Sequence, residues 1–151
     1  MTGGPNSERK VAGNSIPAVV QEICQLQKKA SGKICDSIES ISAELAGPID
    51  REGRLELAAT IADISDELRD IHQRKLDAEY FYGREGVSTH LQERGTHLQS
   101  DHRRLLNELR SAQQETVGGK ARKAHRQLTT WLNHYSDLLD RETELVPELW
   151  G

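Results

Sequence analysis

A chain of 151 residues, 29% charged, 35% hydrophobic and only 4% aromatic, can bury one core but is too poor in aromatics for a thick sandwich. Its formal net charge of −4 excludes the broad basic face of a typical nucleic-acid binder, and Arg103, Arg104, Arg110 and the cluster at 120–126 read as solvated helix surface. No stretch approaches the roughly 20 consecutive apolar residues of a membrane span, and no apolar run backs the N-terminal charges as in a secretory signal, so the expected location is cytoplasmic.

Residues 1–14 are polar and glycine-rich and predict a disordered tail, followed by one unit over 15–151. Ser15 followed by Pro17 marks a helix start. The first helix is expected to run to about Ala46, with Ile23, Ala30, Ile34, Ile38, Ile41 and Leu45 as its apolar stripe. Gly47 and Pro48 end it. Cys24 and Cys35 are eleven residues apart, roughly 16 Å along that helix, which predicts two unbonded thiols.

Asp50 caps a second helix, expected to reach about Tyr82, with a stripe at Leu57, Ile61, Ile64, Leu68 and Ile71 that Ala78 and Tyr82 continue. His72 and Glu79 lean toward that stripe. After a turn at 83–88, a third helix from Thr89 to about Glu115 places Leu91, Leu98, Leu105 and Leu109 on one face, and His102 falls on the same face. His90 and His97 lie at its edge. The turn at 117–119 leads to a fourth helix over 120–149, whose face carries Leu128, Trp131, Leu132, Tyr135, Leu139, Val146 and Glu142, with His125 and His134 at the edge. Pro147 predicts a loose last turn. Four long helices with short turns and no strand signal predict an all-α protein, an up-down-up-down antiparallel four-helix bundle.

Folding the chain about those turns brings Cys24, His72, His102 and either His134 or Tyr135 to within about one helical turn of a common level. Glu79 and Glu142 form a second level, about 10 Å along the axis. A polar layer in an apolar core needs a reason, because each unpaired group there costs about 1–3 kcal/mol. Two readings are open. One is a metal site, built from neutral imidazoles and carboxylates on different helices. The other is a hydrogen-bonded polar network. Hydrolytic or nucleophilic catalysis has little support, since no nucleophile elbow, phosphate loop, CxxC pair or HExxH sequence occurs.

The stretches LRDIHQRKLDAEYFYGREG, HLQERGTHLQSDHRRLLNEL and WLNHYSDLLDRETELVPELW resemble the hemerythrin-type (HHE cation-binding) domain over about residues 55–150. The resemblance implies a four-helix bundle holding non-haem iron as a di-iron or single-ion centre, a carrier or sensor of O2 or redox state and not a turnover enzyme. It implies His72, His102 and His134 as nitrogen ligands, and Glu79 and Glu142 as carboxylate ligands, with Cys24 nearest the site on the first helix. The alternative is a metal-free helical interaction or scaffold protein, self-associating through its long first two helices as a homo-oligomer.

Overall fold

The computed structural model describes residues 16–151; the tail expected over 1–14 and the capping role of Ser15 lie outside them. Four helices follow in order: α1 (Ala18–Ala46), α2 (Arg51–Asp77), α3 (Thr89–Val117) and α4 (Ala121–Trp150). Each packs on two neighbours, and α1 returns to α4, which closes the all-α bundle around one core. The apolar stripes read from the sequence supply that core, with Ile38, Ile61, Leu109, Leu128 and Trp131 each at 0% exposure. Among the described residues no helix is long and apolar enough to cross a membrane.

Two caps follow from local chemistry. The Asp50 carboxylate accepts a 2.7 Å hydrogen bond from the Gly53 amide at the start of α2, and Ser88 accepts one of 3.3 Å from Leu91 at the start of α3. Pro17 occupies the N-cap of α1 without a side-chain bond. Cys24 and Cys35 are free thiols.

The end of α2 departs from expectation. The helix stops at Asp77 and does not reach Tyr82, because Glu79 takes a left-handed backbone conformation with φ 55°. That reversal turns Tyr80 and Phe81 into the core, where they are 1% and 2% exposed. Burying each ring yields on the order of 1.5–3 kcal/mol. One left-handed residue costs about 1–2 kcal/mol, so burial wins over five more residues of solvated helix.

The last turn of α4 is also firmer than expected. The helix runs through Pro147 to Trp150, and its end is tied down from outside: the Trp150 indole donates to the Tyr80 carbonyl at 2.9 Å, and the Arg84 amide donates to the Leu149 carbonyl at 2.9 Å. Those tertiary bonds offset the missing proline N–H. The reversal after α2 packs against α3 at Gly95, where an added Cβ would stand 1.9 Å from the Phe81 carbonyl oxygen.

Two glycine substitutions should therefore act in opposite directions. Gly95→Ala forces backbone apart and is expected to destabilise by about 1–3 kcal/mol despite its better helix propensity. Gly32→Ala, in open space on α1, should stabilise by up to about 1 kcal/mol. Urea titration of both variants reads the two signs.

Candidate functional site

A polar layer exists where the helical stripes predict one, but its centre is a lysine, and Glu142, expected about 10 Å away along the axis, stands in the same layer 2.9 Å from His102. Lys75, in the last turn of α2, is 0% exposed, and its Nζ lies 2.7 Å from Glu142 Oε1 on α4. His102 of α3 approaches the same carboxylate oxygen at 2.9 Å and the ammonium at 3.3 Å. With its proton on Nε2 the imidazole donates to Glu142; with the proton on Nδ1 it accepts from Lys75. Gln27 of α1 closes the ring: its amide nitrogen donates to Glu142 Oε2, and its carbonyl oxygen accepts from Lys75. All four helices thus contribute one group to one charge-balanced network.

Aromatic rings and a thiol surround it. Lys75 Nζ stands 5.0 Å from the centre of the Tyr80 ring and 6.0 Å from that of Phe81, within cation–π range. The Tyr80 hydroxyl meets the Cys24 thiol at 3.6 Å. His72 stacks on His102 with ring centres 5.4 Å apart and a 30° tilt, and neither of its nitrogens has a hydrogen-bond partner among the described residues. Outside this layer, a cleft of about 510 Å³ between α1 and α4 reaches Cys24, Gln27, Tyr80 and Glu142 from the surface.

Burial alone would push the Glu142 carboxyl up, but the Lys75 charge and the His102 hydrogen bond outweigh it and hold it down to about 2. Burial pushes the Lys75 ammonium down, against the pull of Glu142. The 2.7 Å contact decides the state of the pair at neutral pH: carboxylate against ammonium. Burial, and after it the Lys75 charge, lowers His102. Burial followed by the charges of His102 and Lys75 lowers His72 to about 4. Both imidazoles are therefore neutral near pH 7.

The five residues taken from the sequence as metal ligands divide. His102 and Glu142 meet directly, and His72 lies against His102. Glu79 does not join them: it sits exposed in the reversal after α2, because the helix that would have turned it inward has already ended. His134 is on the outer surface, 53% exposed and 3.1 Å from Glu108. Tyr135, 1% exposed, takes the inward place, since one residue is about 100° of helical rotation.

Among the described residues no group of three or more His, Cys, Asp or Glu side chains is placed to hold a metal ion. The ammonium of Lys75 stands between the oxygen and nitrogen donors where a bound cation would need to stand. The residues present therefore do not fit the iron pair that the hemerythrin resemblance implies. No protein-family model, curated protein or solved structure matches this chain.

Sequence reasoning passed over Lys75 and Gln27, although both lie on apolar stripes. Lys75 follows Leu68 by seven and Ile71 by four; Gln27 follows Ile23 by four and precedes Ala30 by three. A lysine at a stripe position, facing a glutamate on another stripe, was the available signal.

The ion pair and the imidazoles set two expectations. Lys75→Ala strands a buried carboxylate and should cost about 3–5 kcal/mol, whereas Lys75→Met combined with Glu142→Leu should recover most of that loss. Both His72 and Glu142 have folded-state values below their unfolded ones, so each contributes stability that is lost as pH falls. The His72 share disappears between about 6.5 and about 4, and the Glu142 share between about 4.5 and about 2. Denaturant midpoints measured across pH should fall first in the upper window, to which the lowered His102 also contributes, and His72→Leu should reduce the fall in that window while leaving the lower one in place.

Proposed function

We propose that the protein works by binding and not by turnover, as a metal-free helical-bundle interaction protein that associates with a second copy of itself. The observation that carries this reading is the Lys75–Glu142 pair, at 0% and 2% side-chain exposure. Where a metal-binding bundle keeps its ligands' lone pairs for an ion, here the chain supplies its own cation, held by Glu142 and Gln27, with His102 against the same carboxylate oxygen. Nothing in that ring is left over to activate a substrate.

The surface offers a seam instead. Val19 and Leu26, seven apart on α1, are 48% and 38% exposed and flank a groove against the end of α2. Glu22, Arg74 and Asp77 line the same groove. Its charges are of both signs, so a twofold contact that sets Arg74 of one copy against Glu22 or Asp77 of the other would be charge-complementary.

Two measurements test the reading. Protein expressed with added iron should carry only traces of metal on elemental analysis, and a chelator should leave its melting midpoint unchanged; stoichiometric iron with charge-transfer bands would overturn the metal-free assignment. Sedimentation equilibrium should show a concentration-dependent dimer that Val19→Glu with Leu26→Glu abolishes while helicity is kept. A wild-type chain that stays monomeric at all concentrations would overturn self-association.

A further inference from the structure

We infer that Lys75 acts as the resident cation of the layer, excluding divalent metal from it, and that removing the ammonium opens a single-ion site for zinc or cobalt at His102, Glu142 and Gln27. This rests on the metal-free reading above and extends it to the reason why the chain binds no metal. An ammonium group has three donors and no acceptor. Three acceptor atoms face the Lys75 nitrogen: Glu142 Oε1, the Gln27 carbonyl oxygen and, with its proton on Nδ1, His102 Nε2. Those are the lone pairs a transition ion would use, from imidazole and oxygen donors of the kind that suit zinc and cobalt.

The layer holds one further ligand in reserve. His72 is 7% exposed, stacked on His102, neutral at pH 7 and without a hydrogen-bond partner among the described residues for either nitrogen. A neutral imidazole with a free lone pair, packed on the His102 ring, has the chemistry of a metal donor. At 2.7 Å from Glu142 the ammonium neutralises the one anion of the layer, so an incoming divalent ion meets no net negative charge. It would also have to displace a buried positive one. Truncating the lysine reverses both conditions: the carboxylate is left uncompensated, and space opens beside three donors. Binding an ion then satisfies the carboxylate, which couples metal affinity to fold stability.

The experiment compares wild type, Lys75→Ala and Lys75→Ala with Glu142→Gln, each as the full chain, titrated with cobalt(II) and followed by visible absorption and thermal melting. Lys75→Ala should bind one cobalt per chain at least about tenfold tighter than wild type, and its melting midpoint should rise with the ion. The double variant, which keeps the space but lacks the anion, should show neither effect. Adding His102→Ala to Lys75→Ala should remove the absorption bands. If Lys75→Ala does not fold unaided, it is refolded with cobalt present: recovery of helix with stoichiometric ion supports the inference, and no recovery overturns it. A folded Lys75→Ala that binds cobalt no better than wild type overturns it as well, as do bands that survive loss of His102. Either failure leaves the metal-free reading standing, because that reading falls only if the wild-type chain itself carries iron.

Discussion

The buried pair of Lys75 and Glu142 constrains the rest of the bundle. Taking an ammonium and a carboxylate out of water costs several kcal/mol for each ion, and their attraction repays this only when further hydrogen bonds satisfy what remains. Gln27 from α1 and His102 from α3 provide those bonds, which is why the pair spans α2 and α4 yet involves all four helices. The aromatic wall of Tyr80 and Phe81 completes the enclosure. Both rings reach Lys75 because α2 ends early at a left-handed Glu79. The reversal after α2, the docking of Trp150 on the Tyr80 carbonyl and the close approach at Gly95 thus belong to one corner of the molecule, arranged so that the lysine is sealed.

Such a layer explains how a chain with so few aromatics holds a defined core. Most of its interior is Ile, Leu and Ala, side chains whose stripes interdigitate in more than one register. Four of the five described aromatic side chains at or below 9% exposure, Tyr80, Phe81, Tyr135 and Trp150, stand within the polar layer or at the end of the bundle next to it. Trp131 stacks on Tyr135 at 4.8 Å and donates to the Leu105 carbonyl, carrying the same ordered packing one turn further. Large rigid side chains and directional bonds are gathered at one level, and the aliphatic stripes fill the rest.

The sequence revealed the architecture well because helical periodicity is a property of the whole stripe and survives an error at either end. Helix number, the first and last turns and the inward face of α3 with His102 followed from spacing and turn residues, and the Asp50 cap from residue type. The site was only partly legible. His102 and Glu142 were found because each interrupts a run of apolar residues. Glu79 was misplaced since Ala78 and Glu79 are good helix formers, and nothing local announces the reversal; the driving force is burial of Tyr80 and Phe81 against distant α4. His134 was ambiguous with Tyr135 by one residue, a rotation that the apolar pattern of α4 resolves in favour of the tyrosine. Lys75 was hidden by an assumption: a lysine on an apolar stripe is ordinarily taken to snorkel to solvent, and only the opposing glutamate on a different helix holds it inside.

A charge pair of this kind contributes more to choosing one packing than to net stability. Sliding α2 by one turn against its neighbours α1 and α3 would keep aliphatic side chains in contact while moving Lys75 about 5 Å along the axis from Glu142 on the diagonally opposed α4. Both charges would then be buried among apolar side chains with no partner, a penalty that no gain in aliphatic contact at another level offsets. Rotation of either helix is excluded by the same pair, since Gln27 and His102 bind the charges from the two remaining sides. The register of four helices is therefore fixed at a single level, and the aliphatic stripes above and below it follow from that alignment.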